Sequence, residues 1–329
     1  MTLPATPERP FGAVLTAMVT PMTPDGAVDL KAAAALATKL VDDGNDGLVL
    51  SGTTGESPVT HAPEKAALVA AVVEAVGDRA AVLAGAGSND TAHAIRMATQ
   101  AADAGADGLL LVAPYYSRPT QEGLYQHCVA VADSTDLPVM LYDVPGRAGV
   151  RIAPETFGRL AEHPRIVANK DATGDVWSAA QLIEATGLAW YSGDDGLLLP
   201  MLSVGGAGIV SVAAHLVAAH FAQAVRSWDA GEHAEALAAF RPTVPVVNAL
   251  NGAGAQAVMA KAALQAQGAL EHRTLRLPNV AASDHEVAHL RAVLTAVGLI
   301  PAKATPMSPP ELPEDATAVV GHPAIHTPR

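Results

Sequence analysis

The chain has 329 residues, 50% of them hydrophobic, 16% charged and 4% aromatic, and 20 Lys and Arg against 33 Asp and Glu leave a net charge of -13. So much apolar sequence excludes wholesale disorder and supplies core for two ordinary domains or one large α/β barrel, while the negative charge, with no cluster of Lys and Arg, argues against nucleic acid as a partner. Cys128 is the sole cysteine, so no internal disulfide can form, and the start of the chain, with Pro4, Pro7, Glu8 and Pro10, lacks the charged-then-apolar layout of a signal peptide; a cytoplasmic protein is the expectation.

Residues 1–10 read as an N-terminal arm. From Phe11 onward a short apolar run, a polar or Gly/Pro-rich turn and an Ala-rich amphipathic segment recur as a βα unit. Candidate strands are Ala13–Thr20, Asp46–Leu50, Ala81–Gly87, Gly108–Pro114, Val139–Pro145, Ile166–Ala172, Ala189–Asp195 and Gly208–Ala213. Helical patterns lie between them. Examples are Thr91–Ala104, with Ala92, Ile95, Ala98 and Ala102 on one face and Gly105 placed to end it, and Gln121–Asp133. Strands that read as continuous apolar runs are those buried on both faces, as in an all-parallel sheet. Eight units within residues 11–228 predict a (β/α)8 barrel, the TIM barrel, in preference to an open sheet.

Gly196–Val225 contains no Asp, Glu, Lys or Arg and is long enough to cross a bilayer, but Pro200, the Gly205–Gly208 run and two histidines divide it into pieces of globular length. It reads as barrel core, and no membrane is expected as partner. Residues 229–300 read as a helical appendage with segments at Gly231–Val247, Ala253–Gln267 and Ser283–Val297, and residues 301–329, rich in proline, as a disordered tail.

Catalytic groups of such barrels sit at the C-terminal ends of strands. After the second strand, Ser51-Gly52-Thr53-Thr54-Gly55-Glu56-Ser57 is either a nest of backbone N–H groups for an anion or a Gly-rich turn capping the next helix. On the sixth strand Lys170 stands in a run that should be buried. It is either a desolvated amine able to attack a carbonyl or half of a Lys170–Asp171 surface pair, and its place at the site end of the barrel favours the amine. Tyr142, on the adjacent fifth strand, could pass protons beside it. Tyr115 and Tyr116 add two phenols at the end of the fourth, so three of the five tyrosines cluster at strand ends.

Together Gly52–Glu56, Pro114-Tyr115-Tyr116, Tyr142–Arg147, Lys170-Asp171-Ala172 and Ser192-Gly193-Asp194-Asp195 resemble, in order and spacing, the 4-hydroxy-tetrahydrodipicolinate synthases, formerly called dihydrodipicolinate synthases. The likeness runs from about Phe11 to Leu299. It implies a Schiff-base condensation of pyruvate with aspartate-4-semialdehyde, without a cofactor or metal, on the route to diaminopimelate and lysine. Lys170 would form the imine, the N–H groups of Thr53 and Thr54 would hold the pyruvate carboxylate, and the Val210 carbonyl would approach it. Tyr142, Thr54 and Tyr116 would relay protons, Tyr116 from across a dimer interface, in a tetramer built as a dimer of dimers. Other pyruvate-dependent Schiff-base aldolases or dehydratases take different aldehydes or sugar acids, and Arg147, suited to a second carboxylate, separates them from this reading.

Two residues depart from the family pattern: Asn169 stands where an aliphatic residue is usual, and alternation turns it toward the helices, while Asp143 stands where many relatives have Asn. In regulated relatives lysine binds beside the Gly52–Ser57 loop. Ser57, Asn89 and Tyr115 match that pattern, but His93 replaces a carboxylate, and Ala62 and Lys65 stand at two histidine positions. Finally, His285-Glu286-Val287-Ala288-His289 has the zinc-protease spacing, but Ser283 and Glu286 are also spaced as a capping box, which accounts for the glutamate.

Overall fold

The computed structural model describes residues 8–251 and 255–301. Eight parallel strands, β1 Val14–Ala17, β2 Gly47–Leu50, β3 Ala81–Gly85, β4 Gly108–Val112, β5 Val139–Asp143, β6 Ile166–Asp171, β7 Ala189–Ser192 and β8 Gly208–Ser211, close into a barrel in sequence order. The expected strands are all present. All but β2, which ends at Leu50 as expected, end earlier than their apolar runs, because the last residues of the run leave the ladder to form the loops of the site.

Alternation sorts the strand residues into two cores. Leu15, Val49, Leu83, Leu110, Met140, Ala168 and Val210 fill the barrel interior. Leu48, Leu50, Val82, Leu109, Leu111, Leu141, Trp190 and Ile209 face the surrounding helices, and that outer core continues into the C-terminal helices. The narrow end is sealed. Phe11 packs into the interior at 3% exposure, and the buried Tyr191 side chain donates from its hydroxyl to Gly12 O at 2.9 Å. Arg9 straps this end to the last barrel helix through its ion pair with Asp229.

The helices start where caps dictate. Asp29 accepts from Ala32 N, Asp90 from Ala92 N, Thr120 from Gly123 N and Asp175 from Ser178 N, each satisfying an orphan donor of the first turn. The helix Thr91–Asp103 buries Ala94, Met97, Ala98 and Ala101, not the face through Ala92 and Ala102. An Ala-rich helix carries two stripes of similar hydropathy, and the longer Met97 side chain selects between them. The span Gly196–Val225 divides as expected into the helix Leu198–Ser203, β8 and part of the helix Ala214–Asp229. Among the described residues no helix is long and apolar enough to cross a membrane.

The appendage differs from expectation in one place. The segment Gly231–Val247 is two helices, His233–Phe240 and Val244–Leu250, joined by a tight turn at Arg241–Thr243 where Pro242 removes a helical donor. The helices Gln256–Ala266 and Asp284–Ala296 follow, the latter with the Ser283–Glu286 capping box formed. The expected tail beyond Pro301, the first seven residues of the arm and residues 252–254 lie outside the described residues.

Asn169 is fully buried and faces the outer layer in register with Leu141 and Trp190, and neither end of its amide has a partner among the described residues. Such a group costs about 1–3 kcal/mol. Asn169→Val should therefore raise the unfolding free energy by that order in denaturant titration; a less stable variant would show that the amide is satisfied.

Candidate functional site

A cavity of about 370 Å³ opens at the C-terminal ends of β2 to β5. Its wall brings together Thr53 from the loop after β2, Tyr115 and Tyr116 from the loop after β4, Tyr142 from β5 and Arg147 from the short helix Pro145–Ala148. Gly85 lets the loop after β2 lie against β3, since a Cβ there would meet Ser51 O at 2.3 Å. That loop is bracketed by Ser51 and Glu56, both with left-handed backbone at φ 52° and 58°.

Lys170 points into the barrel in register with Tyr142 on one side and Tyr191 on the other. It is 6% exposed, which excludes the surface pair, and its Nζ lies 4.5 Å from the centroid of the Tyr142 ring. Gly193 makes room for it, as a Cβ there would stand 3.1 Å from Lys170 Cε. Two further lysines are also buried, Lys65 and Lys261, which sequence position alone does not reveal. Their ammonium groups are engaged, Lys65 with Ser57 Oγ at 2.9 Å and Lys261 with Glu56. Among the described residues lysine ion pairs are confined to Lys39–Asp43 and Lys261–Glu56, so Lys170 has no carboxylate against it.

Of the residues expected at the site, Thr53, Tyr116, Tyr142 and Arg147 line the cavity, and Lys170 lies against Tyr142. Thr54 and Val210 are buried and stand outside the cavity wall, Val210 as part of the barrel core. Tyr116 has φ 70°, donates its backbone N–H to Ala148 O at 3.2 Å and leaves its side chain in solvent, the residue 89% exposed. The Arg147 side chain is exposed and makes no ion pair among the described residues.

Asp195, from the Ser192–Asp195 motif, is a buried carboxylate that accepts from Ser211 Oγ and, at 3.1 Å, from Ala213 N. It ties the end of β8 to the helix that follows, and burial raises its pKa. Beside it His215 is held neutral: Nδ1 donates to Val212 O at 2.8 Å and Nε2 accepts from Val19 N at 3.1 Å, while burial lowers its pKa to about 4. Neither arrangement was expected from the sequence, although the Asp194–Asp195 pair at a strand end and a His in the uncharged stretch Gly196–Val225 are the signals that could have found them.

With this geometry in place, residues 10–297 match the dihydrodipicolinate synthetase family. The chain belongs to that family. It is 55% identical over 296 residues to 4-hydroxy-tetrahydrodipicolinate synthase 2 of Streptomyces coelicolor, covering 90% of this chain and 98% of that protein. Among solved structures it is similar to dihydrodipicolinate synthase of Cyanidioschyzon merolae with lysine bound, with a TM-score of 0.85 and 39% identity over 89% of this chain and 100% of that one. The synthase of Acinetobacter baumannii complexed with pyruvate gives 0.84 and 36% over 88% and 100%.

Asp143 shows how a departure from the family pattern is absorbed. Its side chain turns outward from the barrel, away from the cavity, where it accepts from Ile152 N at 3.3 Å and lies 3.9 Å from Arg151. Burial lifts its pKa to about 7, and Asp171 adds to the rise. The folded chain therefore keeps a proton that the unfolded chain releases at its ordinary value of 3.8, so stability is lost as pH rises from there through about 7. Asp143→Asn should raise the melting temperature more at pH about 8 than at pH about 4. An equal gain at both would mean that the carboxyl is charged throughout.

Proposed function

We propose that this chain is a lyase that condenses pyruvate with aspartate-4-semialdehyde to 4-hydroxy-tetrahydrodipicolinate, on the route to diaminopimelate and lysine, through an imine on Lys170. The observation that carries the reading is Lys170 itself: buried at the open end of the barrel, without an ion pair among the described residues and set against the phenol ring of Tyr142. An amine held there needs no cofactor to activate a ketone.

The residues divide the steps. The pyruvate carboxylate docks on the N–H groups of Thr53 and Thr54, which brings its ketone carbon to Lys170 Nζ. Nζ adds to that carbon, and the ketone oxygen leaves as water to give the imine. Loss of a proton from the methyl carbon gives the enamine, whose carbon attacks the aldehyde, and the aldehyde oxygen takes up a proton. The amine of the semialdehyde then adds to the imine carbon, closes the ring and releases Lys170. Each step moves a proton, and Tyr142, Thr54 and Tyr116 are the hydroxyls proposed to carry them. The Val210 carbonyl bounds the pyruvate site from β8.

Arg147 would fork onto the carboxylate of the semialdehyde, which favours this substrate over the polyols of sugar acids. Tyr116 would enter a neighbour's site in a dimer, and a dimer of dimers, formed by self-association; its exposure to solvent in the single chain supports this reading. We propose the cytoplasm as its location; among the described residues no helix is long and apolar enough to cross a membrane.

Borohydride reduction in the presence of pyruvate should add mass at Lys170 alone, and Lys170→Ala should not be labelled; a label on another lysine refutes the assignment. Arg147→Ala should label normally while its KM for the semialdehyde rises about 10-fold or more, as the loss of a charge-assisted pair would produce. A variant impaired in labelling would give Arg147 a structural role instead.

Another cavity, about 180 Å³, is lined by Ser57, His61, Lys65, Ser88, His93 and Tyr115 among others. An ammonium and two imidazoles disfavour a cationic ligand. Lysine added to an activity assay should leave the rate unchanged at concentrations that inhibit regulated relatives, and strong cooperative inhibition would contradict this.

A further inference from the structure

The loop carrying Thr53 and Thr54 is held in a shape that its own residues resist. Left-handed backbone at a non-glycine residue costs of order 1–3 kcal/mol and persists only where the surroundings enforce it; here both Ser51 and Glu56 adopt it. Within the loop, Glu56 N donates to Thr53 O and Ser57 N to Gly52 O, both at 3.1 Å. These two bonds close the turn, and Thr20 Oγ1, donating to Gly55 O at 2.8 Å, ties its backbone to the barrel.

What holds the Glu56 side chain comes from the far end of the chain. One carboxylate oxygen accepts from Lys261 Nζ at 2.5 Å and the other from the backbone N–H of Arg276 at 3.0 Å, and both charged side chains are buried, at 1% and 0% exposure. Lys261 also donates to Thr274 O at 2.7 Å. The Arg276 guanidinium then reaches past the loop to Glu64 and to Val59 O, the latter at 2.8 Å, so the same residue grips the segment on the loop's downstream side.

A buried ion pair adds little net stability, because desolvating both charges offsets their attraction, but separating the partners strands a charge in the core and is strongly unfavourable. The pair therefore acts on geometry. It allows one placement of Glu56, and Thr54 lies only two residues away along a closed turn.

We infer that Lys261 and Arg276 are positioning residues for the keto-acid carboxylate: Lys261 through the Glu56 carboxylate, and the Arg276 side chain through Glu64 and Val59 O just beyond the loop, hold the N–H groups of Thr53 and Thr54 in the arrangement that the carboxylate needs. The inference rests on the function proposed above and extends it, since it makes the helical appendage part of the substrate site. Neither residue touches substrate.

The test uses the full chain and three variants: Lys261→Met, Arg276→Ala and the double variant Glu56→Gln/Lys261→Met. For each, the pyruvate concentration giving half-maximal borohydride labelling is measured, with KM for both substrates and the melting temperature. The pyruvate requirement should rise about 10-fold or more in Lys261→Met and Arg276→Ala, the loss expected when binding groups are displaced, while KM for the semialdehyde stays near the wild-type value. Lys261→Met leaves a buried carboxylate without its partner. Should it fail to fold, the double variant, which removes both charges, and Arg276→Ala, which leaves the buried pair intact, decide the matter. A folded Arg276→Ala or double variant with wild-type dependence on pyruvate overturns the inference, as does a rise in both KM values in step with lost thermal stability. A wild-type chain that pyruvate does not label overturns the functional reading and this inference with it; normal wild-type labelling beside unchanged variants overturns the inference alone.

Discussion

The period-two geometry of β6 is the constraint on which the site depends. A strand buried on both faces must send successive side chains into different surroundings, and on β6 these are the barrel interior and the helix layer. Lys170 goes inward to Tyr142, whereas Asn169 and Asp171 go outward, Asp171 to accept from Trp190 Nε1 at 2.8 Å. A shift of one residue in register would turn the amine into the helix layer and place an amide and a carboxylate at the barrel axis. The Trp190–Asp171 bond and the packing of Phe157 on Trp190 resist that shift from outside the barrel.

Net charge poses a second constraint. A chain at -13 repels carboxylates at long range, and the substrates proposed here are carboxylates. At physiological ionic strength exposed charges are largely screened beyond about 8 Å, so the local field decides what enters. Around the cavity that field comes from Arg147, Lys170 and the backbone N–H groups of the loop after β2. The buried carboxylates nearest the barrel end are turned away or engaged: Asp143 outward beside Arg151, Asp171 on Trp190, and Asp195 on Ser211 and Ala213.

The barrel was legible in the sequence because its strands are continuous apolar runs punctuated by glycine and proline, a pattern that survives without any partner being known. Less legible were choices that depend on what lies opposite. The buried face of Thr91–Asp103 could not be read from alanine periodicity, and the break at Pro242 was hidden in a segment whose composition is helical throughout. In the site, Lys170, Tyr142 and Arg147 could be found because each stands at a strand end or in the loop beyond it. Glu56 was visible only as part of a motif; its partners lie 205 and 220 residues further on. The one local hint was Lys261, a single charge in the otherwise uncharged helix Gln256–Ala266.

The seal made by Phe11 and by the bond from Tyr191 to Gly12, with the apolar side chains packed above it, closes the barrel from below, so the cavity is reached from the C-terminal ends of the strands. Traffic through it is last in, first out. In the proposed reaction a molecule joined to Lys170 would sit beneath whatever arrives next, and the water released would leave past the entrance before a second reactant could fill the space. On that reading the order of arrival would follow from the shape of the container, and a bulky late-coming molecule would trap the earlier one without touching any group that reacts with it.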